Sequence, residues 1–375
     1  MRNLGKLAVL GITALGLALA GPQDNSLVIG ASQEPRVLAG DFLSVISNQA
    51  IKSEIEQYLF APFIGFNADS QNFPVLATEV PTLENGRLRV TDIGGGKKRL
   101  EMDITIRPDA KWSDGRPITT EDVAFYFEVG KAKGMPVLNP DFWERVNVRI
   151  KDARNFTLIF EPAYYYDTYG PINTYAPKHI MGPEWERVKA AARGLDPQKD
   201  AEKLNELYRN FFIKFSTPQA LNRGAMVYSG PFMLRRWVPG NSIEMVRNPN
   251  FPIKPEGGES KYVQKVVYRF IQNTNSLLVA VIGGSIDATS SVSLTFDQGR
   301  SPQLVRRAPG RFDIWFVPGA IWEHIDINKF ENCQVVKDLG LNDKRTRQAI
   351  LDALNREGLV KGFFDGPQPV ANTWI

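Results

Sequence analysis

Strand-like and helix-like hydrophobic patterns interleave along nearly the whole 375-residue chain, and this alternation is what most narrows its fold. Residues 26–31 form a short apolar run that reads as a buried strand ending in a polar turn, Ser32-Gln33-Glu34-Pro35. Residues 51–59 have helical spacing, and residues 60–66 carry the chain into a second strand. Two alternating runs flank Gly94-Gly95-Gly96. In the second, Leu100, Met102, Ile104 and Ile106 share one face and Glu101, Asp103, Thr105 and Arg107 the other, as a half-buried hairpin strand requires. Residues 109–117 read as a turn with Asp114-Gly115 at its corner, and Thr119-Thr120-Glu121-Asp122 opens a helix with a hydroxyl cap and acids at the positive end of the dipole.

The pattern continues through a mostly helical stretch, 183–215, interrupted at 194–197. Gly230-Pro231 starts a strand pair in which Phe232, Leu234 and Trp237 oppose Arg235 and Arg236 before a Pro239-Gly240 turn. Residues 262–271 read as a strand and 276–282 as a short apolar helix that leads through Ser285-Ile286-Asp287-Ala288 to a polar loop. Asn342-Asp343 caps an amphipathic helix with Ala349, Ile350, Ala353 and Leu354 on one face. A mixed α/β protein with several lobes follows, and at roughly 150 residues per domain the length fits two or three of them.

The only cysteine, Cys333, excludes an internal disulfide and a multi-cysteine metal site, and two distant histidines, His179 and His324, disfavour a His-rich centre. No cofactor is expected. Arg2 and Lys6 precede a charge-free run from Leu7 to Ala20, and Ala18-Leu19-Ala20 places small residues before Gly21: the layout of a secretory signal peptide cleaved near Ala20. Fourteen apolar residues fall short of the roughly 20 that span a bilayer, and no cysteine follows the cut to mark a lipoprotein. The mature protein is expected to be exported, soluble and without a membrane span. Removing the signal leaves a basic excess of about +2, too small to argue for nucleic acid.

No motif for acyl transfer, zinc hydrolysis, phosphate cradling or dinucleotide binding is present, so a secreted hydrolase is disfavoured and no enzymatic activity is expected. Gly94-Gly95-Gly96 reads as a hairpin turn, Cys333 as an incidental thiol and Glu121/Asp122 as helix capping. Tyr164, Tyr165, Tyr166, Tyr169 and Tyr175, with Trp143 and Trp322, could furnish contact surface for peptides or sugar rings, although packing explains any single one of them better.

Four segments in order resemble the peptide/nickel-type extracellular solute-binding proteins of ABC importers, family 5, to which the oligopeptide- and dipeptide-binding proteins belong. They are residues 109–123, residues 229–251 with Ser229-Gly230-Pro231-Phe232 and Arg247-Asn248-Pro249-Asn250-Phe251, then Gly284-Ser285-Ile286-Asp287, and residues 345–357. The resemblance implies a type II two-lobed periplasmic binding fold with an extra inserted domain. Lobe I would comprise 26–66 and 223–296 and the inserted domain 67–222. Lobe II would begin at 297 and be incomplete at 375, because family members continue further. Asn355 stands where the family commonly has aspartate.

The resemblance further implies a monomeric receptor that captures an oligopeptide by lobe closure and passes it to the permease subunits of an ABC importer, with an oligosaccharide or a nickel complex as alternative ligands. Matched to the family, the expected ligand contacts are Ser32, Gln33, Glu34 and Pro35, then Tyr228 and Ser229, then Thr289, Ser290 and Ser291, with Trp322 and His324 entering lobe II.

Overall fold

A computed structural model describes residues 25–67, 69, 71–164, 167, 176–254, 258, 262–315, 325–364 and 370. The chain divides into two compact units, one ending at Leu294 and one beginning at Thr295.

The first unit opens with β1 (Ser26–Ala31), α1 (Ala50–Leu59), β2 (Ile64–Phe66) and β3 (Asn72–Pro74). Next come β4 (Leu88–Gly94), β5 (Lys97–Thr105), α2 (Thr120–Gly130), α3 (Pro140–Arg145), β6 (Val146–Ile150) and β7 (Asn155–Phe160). The helices α4 (Lys178–Ala192), α5 (Ala201–Ser216) and α6 (Pro218–Asn222) follow. The unit closes with β8 (Phe232–Val238), β9 (Ser242–Arg247), β10 (Lys265–Phe270), α7 (Thr274–Gly283) and β11 (Ala288–Thr289).

One sheet has the order β11-β1-β10-β9-β8. Its β1 runs parallel to both β10 and β11, with Ile29 opposite Tyr268 on one side and Ala288 on the other. The run Leu27–Ala31 is apolar without alternation because both faces of β1 are covered: Ile29 and Ala31 join the main core, while Val28 packs with Leu277 of α7 and Ile286. In β8 a register shift between Leu234 and Arg236 resets the alternation. That bulge is why Phe232 and Trp237, five positions apart, are both buried.

The second sheet, β4-β5-β7-β6, is antiparallel. Its inner row of Leu100, Met102 and Ile104 is buried, and Gly94, Gly95 and Gly96 all take positive φ in the hairpin turn. On the opposite face Asp103 pairs with Arg89 at 2.7 Å and Lys151 at 2.6 Å. Partial burial raises the Asp103 carboxyl, but hydrogen bonds from Arg89, Lys151 and Thr157 outweigh it and hold the group well below the usual carboxylate range.

At α2 the expected cap is present as a capping box between Thr119 and Asp122. The first helix of the 183–215 stretch, α4, starts earlier than the sequence suggests, at Lys178, with Pro183 inside it. The reason is tertiary: Asp122 Oδ1 accepts the Lys178 backbone N–H at 2.9 Å and so caps a second helix, permitting a start the local sequence does not announce. The strands at 60–66 and 262–271 are shorter than expected, reduced to β2 and β10.

The second unit carries α8 (Phe296–Gly299), α9 (Pro302–Val305), α10 (Gln334–Asp338), α11 (Lys344–Ala353) and α12 (Arg356–Phe364). Asp343 caps α11 by accepting the Arg345 N–H at 2.8 Å. The expected apolar face of α11 is not buried: Ile350 and Leu354 are half-buried, and Ala349 and Ala353 are exposed. Leu304 and Val336 are the buried apolar side chains among the described residues of this unit.

Candidate ligand-binding site

Three parallel strands, β1, β10 and β11, end at the same edge of the first sheet, and ligands of open α/β sheets bind outside such carboxyl-terminal edges. The turn after β1 begins with Ser32, whose N–H and Oγ both donate to Val292 O, at 3.0 and 2.7 Å. The loop after β11 returns the contact, with Ser290 N–H donating to Gly30 O at 2.9 Å. Asp287 seats the start of this loop, its Oδ2 accepting the Val28 N–H at 2.8 Å. Ser32, Ser290 and Ser291 are thereby brought to one place, with Gln33, Thr289 and Ser291 exposed and Ser290 buried.

A residue outside the expected set completes this edge. Glu54 of α1 accepts from Tyr268 Oη at 2.7 Å, Ser290 Oγ at 2.9 Å, Ser291 N at 3.0 Å and Ser291 Oγ at 2.5 Å. In sequence, a glutamate in a helix reads as part of its solvent face, and nothing nearby marks partners more than 200 positions away.

The other expected contacts have structural partners. Glu34 accepts from Trp237 Nε1 at 2.7 Å and from Gly240 N at 2.8 Å, tying the β1 turn to the β8–β9 hairpin, and Pro35 is buried. Tyr228 and Ser229 are buried against other elements. Tyr228 N–H donates to Ser113 Oγ at 3.0 Å, its carbonyl accepts the Ser113 N–H at 2.8 Å, and its ring lies 5.8 Å from that of Phe60. Ser229 Oγ accepts the Ala61 N–H at 3.1 Å. Burial pushes the Tyr228 hydroxyl above its ordinary value, so it stays protonated. Trp322 and His324 lie outside the described residues, as do the signal segment, Tyr165, Tyr166, Tyr169 and Tyr175. Trp143 is core, ringed by Tyr126, Phe127 and Phe142, and Tyr164 lies over the Arg145 guanidinium at 4.1 Å.

Two clefts of about 570 and 550 Å³ lie away from this edge. The first is walled by Trp185, Leu204 and Tyr208, the second by Phe125, Lys178 and Pro183. Among the described residues no group of three or more His, Cys, Asp or Glu is placed to hold a metal ion, and no helix is long and apolar enough to cross a membrane.

Comparison with known proteins places this architecture. The chain is 23% identical over 368 residues to the oligopeptide-binding protein AppA of Bacillus subtilis, covering 93% of this chain and 53% of that protein. It is 97% identical to an oligopeptide binding protein from Thermus thermophilus whose crystal structure holds a pentapeptide, with a TM-score of 0.88 over 95% of this chain and 59% of that one. The fold is shared, at 18% identity and a TM-score of 0.62, with NikZ from Campylobacter jejuni, solved in complex with Ni(L-His), over 94% of this chain and 57% of that one. The chain thus spans little more than half the length of these proteins, and its fold is the mixed α/β, two-lobed periplasmic binding type. The model of the bacterial extracellular solute-binding proteins, family 5, matches residues 97–375, and the chain belongs to that family.

Proposed function

We propose that this chain serves as an exported receptor that captures oligopeptides by lobe closure and delivers them to the permease subunits of an ABC importer. The observation that carries the reading is the 97% identity, over 95% of the chain, to an oligopeptide binding protein holding a pentapeptide. The carboxyl-terminal edge of β1, β10 and β11 supports it chemically. A short edge strand and serine-rich loops offer main-chain and hydroxyl groups, which suit a peptide backbone and leave its side chains unselected. Its role is binding and release, not bond-making.

In this reading 26–66 and 223–296 form lobe I, which contains every strand of the five-stranded sheet, and 67–222 form the inserted domain, which contains the whole four-stranded sheet. Lobe II begins near 297. The signal segment is cleaved near Ala20, and the mature protein acts as a monomer with Ser32, Gln33, Thr289 and Ser291 nearest the ligand.

Native mass spectrometry of the protein purified gently from its own cell envelope tests this. A co-purifying peptide is the expected result, and N-terminal sequencing reads the cleavage point. An oligosaccharide or a nickel chelate carried in its place overturns the ligand class.

A further inference from the structure

The Glu54 carboxylate is engaged mainly with the loop after β11. Its Oε2 accepts from Ser290 Oγ, Ser291 N and Ser291 Oγ, while Oε1 accepts from Tyr268 Oη. With about two lone-pair sites on each oxygen, Oε2 is fully taken up by the loop it holds.

What it holds is weakly anchored by strand pairing. β11 contributes only Ala288 and Thr289 to the ladder, opposite Ile29 and Gly30. Beyond Thr289 the loop is placed by hydrogen bonds: Ser290 Oγ, bound to Glu54, also accepts the Val292 N–H at 3.2 Å, and Val292 O receives Ser32 N–H and Oγ. A continuous relay thus runs from α1 through Glu54, Ser290 and Val292 to Ser32, joining both loops of the proposed ligand edge. Tyr268 Oη, on the same carboxylate, references that relay to the middle of the sheet.

We propose that Glu54 is the positioning residue of the peptide site. By clamping Ser290 and Ser291 it sets the height of the loop whose exposed groups meet the ligand backbone. The inference rests on the peptide-receptor reading.

The test uses the full chain as wild type, Glu54→Ala and Glu54→Gln, with Asp122→Asn as a stability control remote from the loop. Pentaalanine affinity and off-rate are measured by calorimetry and stopped flow well below each thermal midpoint. Amide hydrogen exchange is followed without ligand. Glu54→Ala should weaken pentaalanine binding about tenfold, mostly in off-rate, since several bonds to a charged acceptor are lost together. Glu54→Gln keeps one carbonyl acceptor and should recover part of that loss. Asp122→Asn should lower the thermal midpoint and leave affinity alone. Exchange at Ser291, Val292 and Ser32 should accelerate selectively in Glu54→Ala.

Unchanged exchange at those amides overturns the positioning role whatever the ligand does. A wild type that binds while Glu54→Ala binds equally well overturns it alone. A wild type that does not bind pentaalanine overturns the receptor reading and this role with it.

Discussion

Glu34 and Trp237 meet across 203 positions of sequence, the carboxylate oxygen 2.7 Å from the indole nitrogen. The second carboxylate oxygen takes the Gly240 N–H at 2.8 Å, so one side chain fastens the turn after β1 to both the last residues of β8 and the turn that follows it. Trp237 is only 1% exposed, so its indole N–H needs a partner inside the protein, and Glu34 supplies one. The same turn that presents Ser32 and Gln33 at the sheet edge is thus braced from behind by its neighbour.

Glu34→Ala should accordingly cost about 1–3 kcal/mol, the penalty for stranding a buried donor, and Glu34→Gln should cost less because its carbonyl can still accept from the indole. Urea denaturation followed by tryptophan fluorescence measures both. Equal midpoints for wild type and Glu34→Ala would show that the indole finds water or another acceptor.

What could be read from the residues themselves was whatever is local. The β5 alternation, the Thr119 cap, the Gly94–Gly96 turn and the Asp343 cap all rest on contacts within a few positions, and each lies where the pattern put it. What local spacing does not reveal has a different cause. The early start of α4 depends on Asp122, 56 positions away, and Glu54 on partners in β10 and beyond β11. For α11, hydrophobic periodicity identified the helix, yet its apolar stripe is only half covered. Of the candidate contacts, Ser32, Ser290 and Ser291 could be grouped from family resemblance, whereas the indole partner of Glu34 could not, because spacing carries no information about which strands become neighbours.

Gly230 is required by close approach and not by backbone angle. A Cβ there would lie 2.6 Å from Leu59 C and Tyr58 O and 2.7 Å from Phe60 N, all backbone atoms at the end of α1. The Gly230 N–H also donates to Leu59 O at 2.8 Å, so the two segments cannot separate without losing that bond. Gly230→Ala should destabilise by at least about 1–3 kcal/mol through overpacking. Gly95, at φ +59 with nothing within 4 Å, should lose only about 1 kcal/mol on the same change, from backbone strain alone. Thermal midpoints of the two variants should separate in that order.

Arg145 and Asp167 form a buried ion pair, 2.7 Å apart with side chains 5% and 2% exposed. Arg145 also donates to Asp141 at 2.8 Å and to Pro162 O at 3.0 Å. Burial opposes the guanidinium charge, but the bonds to Asp167 and Asp141 outweigh it and raise its pKa. Asp167→Ala leaves a buried cation short of its counter-charge and should cost about 3–5 kcal/mol, while the double variant Arg145→Met, Asp167→Leu should recover much of it. Chemical denaturation of wild type, Asp167→Ala and the double variant compares the three; a double variant no better than Asp167→Ala would mean that the wider network, not the pair, carries the stability.

The buried carboxyl of Glu56 gives folding a pH dependence of definite sign. Glu56 Oε2 lies 3.3 Å from Lys52 Nζ and Oε1 accepts the Ala39 N–H at 2.9 Å, yet burial outweighs both and pushes the carboxyl from 4.5 up to about 7. Asp41, raised for the same reason, accepts the backbone N–H groups of Val45, Ile46 and Ser47, and its carbonyl takes Lys52 Nζ at 2.9 Å. The loop they secure needs the help, because Ala39 and Ser44 sit at φ 61 and 55, where side chains are strained. Between 4.5 and about 7 the folded protein keeps a proton on Glu56 that the unfolded chain releases. The unfolded state therefore binds fewer protons in this window, and stability falls as pH rises through it. Urea midpoints taken from about pH 5 to about pH 8 should decline for wild type and decline less for Glu56→Gln, which cannot titrate. Parallel slopes for the two proteins would place the Glu56 carboxylate in its ordinary range.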